Sequence, residues 1–150
     1  MMTEIIKATI NDLADLVNMG RAFFYEAQWH ELYQWDDISA SLVLTDLIEN
    51  EAAFVYMAKQ EGRSVGMASA VLYPLWYNTN ILTAQEFFMY VQPDKRKGIG
   101  NKLKAKLEEE ARKFGARTMA MGSVEALPAL DTYYARSGYA PSEKTFIKRL

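Results

Sequence analysis

A mixed α/β domain, with strands and helices interleaved along one chain, is what this sequence predicts, and three observations predict it. The stretch Glu86 to Leu103 reads as a strand, a short basic loop containing two glycines, and the opening of a helix. Ala52 to Lys59 and Ser64 to Tyr73 read as two strands joined by the turn Gln60-Glu61-Gly62-Arg63. The 150 residues, 50% of them apolar or aromatic, suit one domain with a substantial core.

Taken in order, Glu4 to Ile10 has enough β-branched residues for a strand. Asn11 or Asp12 can cap a following helix whose apolar stripe is Leu13, Leu16, Val17 and Phe23 or Phe24. Phe23 to Trp35 is crowded with rings, among them Tyr25 and Trp29, interleaved with Glu26, His30, Glu31, Asp36 and Asp37. Ser39 to Glu49 is predicted to be a second helix, with Leu42, Leu44, Leu47 and Ile48 as its apolar positions. The hairpin follows, and Pro74 to Thr79, including Trp76, is expected to be an aromatic loop before a strand running from Ile81 or Leu82 to Val91. Beyond the basic loop, Ile99, Leu103, Leu107, Ala111 and Phe114 recur near helical period, and Gly115 is a helix stop. Arg117 to Met121 is expected to be a short strand and Gly122 to Glu125 a loop. Ala126 to Ser137 is expected to be a helix that tolerates Pro128 in its first turn and stops at Gly138. Tyr139 to Leu150 would supply one or two closing strands through Phe146 and Ile147.

Composition excludes several classes of function. There is no cysteine, hence no disulfide framework and no thiolate nucleophile, and the single histidine argues against a zinc site. No metal is expected. The net charge of −2 gives no global field for DNA or RNA. The first residues lack the apolar core of a signal peptide, and no apolar run is long enough to span a bilayer, so the expectation is a cytoplasmic protein without a membrane partner.

The basic loop carries the chemistry. A helix start leaves about four backbone N–H groups unpartnered and bears partial positive charge, so it favours an anion. Gly98 and Gly100 let a ligand approach the main chain, and Lys95, Arg96 and Lys97 add three cations. Lys102, Lys104 and Lys106 precede Glu108, Glu109 and Glu110 on the helix, an order that opposes its dipole and that a bound anion would offset. Neither the P-loop pattern nor the dinucleotide fingerprint is present, since Leu103 stands where the third glycine of the latter would fall.

The run Val91, Pro93, Arg96, Gly98, Ile99, Gly100 resembles the acyl-CoA loop of the GNAT superfamily of N-acetyltransferases, with Lys95 in the first place of its core pattern [QR]-x-x-G-x-[GA]. A second run, Tyr133-Tyr134-Ala135-Arg136-Ser137-Gly138-Tyr139, resembles the family's C-terminal motif [LF]-Y-x-x-x-G-[FY]; Tyr134 takes its tyrosine position, and Leu127 stands where the family often has asparagine. The resemblance covers nearly the whole chain. It implies one N-acetyltransferase domain over residues 1–150 with an α/β fold of the α+β type. That fold has a mixed, mostly antiparallel central sheet of six to seven strands, about four flanking helices, and the cofactor in a splay between two central parallel strands.

For the site, the resemblance implies acetyl-CoA as cosubstrate, held by Met89, Tyr90, Val91 and the segment Lys95, Arg96, Lys97, Gly98, Ile99, Gly100 and Asn101. Backbone N–H groups of Met89 and Val91 would polarise the thioester. Glu86 would be the general base, and Tyr134 would give a proton to the departing thiolate. The acceptor would be an amine of a small molecule or of a protein. Tyr25, Glu26, Trp29 and Trp76 are candidates for its pocket, with a slight preference for cations from Glu26, Glu31, Asp36 and Asp37. A homodimer is compatible with the family. Two other readings compete: a non-catalytic CoA-binding or sensing domain on the same fold, and a nucleic-acid or protein-interaction module using the Lys95 to Lys106 patch, which the acidic total charge disfavours.

Overall fold

Phe54 to Ala58 and Val65 to Ala70 are buried residue after residue rather than alternately, so a sheet built from them must be covered on both faces. The structure, a computed structural model describing residues 2–150, shows that arrangement. Strands β1 (Thr3–Lys7), β2 (Ala53–Gln60), β3 (Arg63–Leu75), β4 (Asn78–Val91) and β5 (Thr118–Ala120) form one sheet in that spatial order. The first four are mutually antiparallel and β5 joins β4 in parallel. Helices α1 (Leu13–Glu26) and α2 (Asp37–Glu49) cover one face, where Leu16, Leu47, Met57, Met67 and Phe88 form a core. Helix α3 (Ile99–Lys113) covers the other, with Leu103 and Leu107 fully buried against Ala58, Ala68 and Ala84. A short α4 (Ala129–Arg136) lies beyond β5 in the chain.

Local chemistry sets the joints. The β2–β3 turn places Glu61 and Gly62 at φ 51° and 77°, the left-handed pair of a tight hairpin. Asp36 accepts from the Ser39 N–H and caps α2. The first strand stops at Lys7 because Thr9 and Asp12 close a capping box around the turn Ile10–Asp12. Asp12 therefore stands at the head of α1 without capping it, and its other oxygen accepts from Lys59 Nζ at 2.7 Å. Gly66 on β3 is where α3 seats: a Cβ there would lie 3.2 Å from Leu103 Cδ1 and 3.1 Å from the Tyr90 carbonyl oxygen.

The mixed sheet flanked by four helices is the expected architecture, with two differences in detail. The sheet has five strands rather than six or seven, because residues 139–150 form none. Their one apolar pair, Phe146 and Ile147, would point to opposite faces of a strand and bury one side chain on each, too little to offset the ordering cost. Pro141 also removes a ladder donor. The aromatic loop expected over Pro74 to Thr79 shrinks to the tip Trp76-Tyr77, because β3 runs to Leu75 and β4 starts at Asn78. Among the described residues no helix is long and apolar enough to cross a membrane.

The Asp12–Lys59 pair ties α1 to β2 with only 8% and 22% of the two side chains exposed. Burial opposes the Asp12 charge, but the Lys59 ammonium and the Thr9 bonds outweigh it and hold the carboxyl below its usual range. Lys59→Met should lower unfolding stability by about 3 kcal/mol at neutral pH, since it strands a buried carboxylate. A depressed carboxyl stabilises above its unfolded pKa and loses that contribution as pH falls through the folded one. The deficit of the variant, followed by urea melts, should therefore shrink below about pH 4.

Candidate functional site

Strand β4 is paired with β5 only at Thr83, Ala84 and Gln85, opposite Thr118, Met119 and Ala120, yet it continues to Val91. From Glu86 onward its outer edge has no strand beside it. The orientation of that edge follows from the β3 ladder. Gln92 N–H donates to the Val65 carbonyl at 2.9 Å, so Tyr90 and Phe88 share its orientation toward β3. The intervening residues, Met89 and Val91, turn their N–H and C=O groups to the open side. Arg96 Nε reaches the Val91 carbonyl there at 2.8 Å.

A β-bulge decides what else faces the gap. Ser69 pairs with Phe88 and Ala70 with Glu86, leaving Phe87 as an extra, half-exposed residue. Strict alternation would put Glu86 on the face of Phe88, under α1 and α2. With the bulge it sits opposite Ala70, in the α3-side core, and so shares a face with Met89 opposite Ala68. Glu86 Oε1 accepts from the Gly122 N–H at 3.0 Å, and Oε2 lies 3.5 Å from the Tyr134 hydroxyl, longer than an ordinary O–H···O bond. Burial pushes the Glu86 carboxyl up to about 7, against the lowering pull of Gly122 and Tyr134. The Tyr134 phenol is also pushed up, first by burial and then by the Glu86 charge, so it keeps its proton.

The basic loop ends in Gly98, at φ 86°, and α3 starts without a side-chain cap. Among the described residues, the N–H groups of Arg96 through Asn101 meet no acceptor. Gly98 has open space where a Cβ would project. Lys95, Lys97 and Lys102 form no ion pair among the described residues, whereas Lys106 is engaged by Glu109 and Glu110. Helix α4 is moored to α3 and β4 by consecutive tyrosines: Tyr133 donates to Asn101 Oδ1 at 2.8 Å beside the loop, and Tyr134 turns inward to Glu86. Tyr139 then donates to Glu108 at 2.6 Å.

These elements enclose a cavity of about 710 Å³. Of the residues expected at the site, Glu86, Met89, Tyr90, Val91, Arg96, Gly100, Tyr134, Glu26 and Trp29 line it. Lys95, Lys97, Gly98, Ile99 and Asn101 do not line it: the first three belong to the loop and the last two to the first turn of α3, where the Ile99 side chain is buried. Tyr90 contributes its ring from the far side, since its backbone belongs to the β3 ladder.

Three expectations are corrected. Arg96 does not stand free over the loop: its guanidinium binds the Glu26 carboxylate through two bonds of 2.7 and 2.5 Å and lies 5.6 Å from the Tyr90 ring centroid. Tyr25 is 52% exposed and outside the cavity, because its helical position points away from β4. Trp76 is 90% exposed at the tip of the β3–β4 hairpin, about nine residues of extended strand from the site. Sequence reasoning missed Gly122 as the donor to Glu86, for which its place in a short loop was the signal, and did not place Leu127 on the cavity wall, although it marked that position in the second motif.

The cavity suits an acyl-CoA: free loop amides and unpaired lysines for a diphosphate, then a strand edge with two open N–H groups. No cluster of residues able to hold a metal ion occurs among the described residues.

Comparison with solved structures gives the same fold. A "predicted acetyltransferase" of Clostridium acetobutylicum, solved with acetyl-CoA, superposes with a TM-score of 0.80 at 15% identity, covering 98% of this chain and 96% of that one. A ribosomal-protein-alanine N-acetyltransferase of Brucella melitensis biovar Abortus 2308 gives 0.78 at 18% identity over 100% of both chains. A transcriptional regulator of Bacillus halodurans C-125 gives 0.81 at 17% identity, over 99% of this chain and 100% of that one. At such identities the likeness speaks for the fold alone. No curated protein matches the sequence. The family model described as acetyltransferase (GNAT) family matches residues 15–139, most of the chain including the loop, β4 and the tyrosines of α4, and the protein belongs to that family.

Proposed function

We propose that the protein is an acetyl-CoA-dependent N-acetyltransferase that acts on a primary amine by direct attack, with both substrates bound together. One observation carries the reading. Among the described residues, the only carboxylate lining the cavity without a basic partner, Glu86, lies where β4 leaves β5, beside a protonated phenol and along the edge bearing the Met89 and Val91 amides. Acetyl-CoA, when bound, supplies the thioester. The chain would hold its diphosphate with the loop amides from Gly98 to Asn101 and with Lys95 and Lys97.

The remaining steps belong to the protein's own groups. A primary ammonium has to lose a proton before its nitrogen can attack, and a carboxylate with a pKa of about 7 is matched to that task near neutrality. Glu86 Oε2 is the receiving atom, while Oε1 stays with Gly122 N–H, which fixes the carboxylate plane. The N–H groups of Met89 and Val91 are preorganised donors for the carbonyl oxygen as it gains charge. Tyr134 Oη holds a proton for the leaving sulfur and is not tightly engaged at 3.5 Å. No covalent acyl-enzyme is needed, in keeping with a chain without cysteine.

The test is thiol release from acetyl-CoA against a panel of primary amines, with CoA binding measured separately by calorimetry. CoA binding with no release for any amine would replace this reading by that of a binding domain. In the active enzyme kcat/KM should rise with pH through about 7 as Glu86 loses its proton. Glu86→Gln should lower it by about 100-fold and abolish that rise. Tyr134→Phe should reduce kcat by about tenfold or more while leaving the KM for acetyl-CoA nearly unchanged, as expected for a group that acts only in the transition state. Replacing Lys95 and Lys97 together by alanine should do the reverse, raising the KM for acetyl-CoA by about tenfold with kcat little altered.

A further inference from the structure

Three of the four acids around the aromatic segment are engaged within the protein, and the fourth, Glu31, which accepts from Arg149 only through its backbone carbonyl, lies outside the cavity lining. Asp36 accepts from the Ser39 N–H and hydroxyl at the head of α2. Asp37 binds Arg21 at 2.5 Å and Trp35 Nε1 at 2.7 Å. Glu26, the member of this group that lines the cavity, is bonded through both oxygens to Arg96. Arg96 is itself fixed from three directions, by Glu26, by the Val91 carbonyl and by the Tyr90 ring. The cavity wall at the Val91 end of the β4 edge therefore presents a neutralised ion pair set among rings. Phe23 lies 5.2 Å from Trp29 and 5.8 Å from Tyr90, centroid to centroid.

Charge arithmetic in this space is simple. Glu86 is needed by the reacting amine, so among the described residues a second ammonium would find no free carboxylate on the cavity wall and would meet the Arg96 guanidinium instead. An apolar or aromatic body would meet Phe23, Trp29, Phe87 and Leu127. We infer that the acceptor is a monoamine carried on an apolar or aromatic body, and that Arg96, by occupying Glu26, excludes polycations. This rests on the reading of the cavity as an acceptor site and sets aside the preference for cationic acceptors that the acidic residues suggest in sequence.

Phenethylamine and spermidine are suitable probes, each assayed twice: by acetyl transfer, and by calorimetric binding to the CoA-loaded protein. Phenethylamine should be favoured over spermidine by at least about tenfold in kcat/KM and in affinity, because the polyamine brings charges that find no partner. Arg96→Met, which releases Glu26, should shift the ratio toward spermidine by about tenfold, and Glu26→Gln should not weaken spermidine binding. A wild-type protein that prefers spermidine, an Arg96→Met ratio that does not move, a loss of spermidine binding in Glu26→Gln, or binding of neither amine would each overturn the inference. If phenethylamine binds with the expected preference but is not acetylated, the catalytic reading fails and the cavity's preference for a monoamine on an aromatic body stands. If spermidine is the better substrate, the assignment fails and the catalytic reading stands.

Discussion

Everything at the site depends on β4 having a partner on one edge and none on the other. A strand inside a sheet satisfies its N–H and C=O groups on both sides, and leaving a run of them open is costly unless water or a ligand takes them. Here the parallel partner β5 pairs at three residues and ends at Ala120, while β4 runs on to Val91. The open edge is short, is backed by the β2–β3 hairpin, and leads directly into the loop and helix start whose amides from Arg96 to Asn101 meet no acceptor among the described residues. Polar main-chain groups of two elements are thus aligned along one channel, with the rest of the sheet keeping them in place.

The bulge at Phe87 gives that channel its chemistry. One inserted residue reverses the facing of every side chain on one side of it relative to the other. It carries Glu86 away from the α1 side, which Phe88 and Tyr90 occupy, to the side of α4 and Tyr134. Burial in a mostly apolar cavity then raises the carboxyl toward neutrality, and the Gly122 amide keeps it oriented. The raised pKa has a cost, because between the unfolded value and about 7 the folded chain binds a proton that the unfolded chain does not, and its stability falls as pH rises through that window. Such a cost at a cavity wall accords with the role in proton transfer proposed for Glu86.

Arg96 shows how one side chain links the two halves of the cavity. It sits in the basic loop by sequence, yet its donors serve Val91 and Glu26, so the loop is stitched to β4 and to α1 at once. The lysines on either side of it, Lys95 and Lys97, form no ion pair among the described residues. The bidentate geometry is one that arginine alone provides, and lysine at this position would hold a single contact at most.

Much of the fold was legible in the chain: the hairpin through Glu61-Gly62, the α3 stripe from Ile99 to Ala111, the glycine stops at Gly115 and Gly138, and the strand–loop–helix order about Gly98. These are local matters of periodicity, turn conformation and capping, and a sequence records them directly. The loop amides were also legible, from a helix start flanked by glycines, and the tyrosines of α4 through a motif that resembles the family's. What only the tertiary structure decided were relations between distant residues: Glu26 with Arg96 is 70 positions apart, Glu86 with Gly122 is 36, and the face of Glu86 turns on a single unpaired residue. Composition cannot tell an acid that is free from one already bound, nor period-two alternation show where a strand skips a residue, because both depend on the partner across the gap.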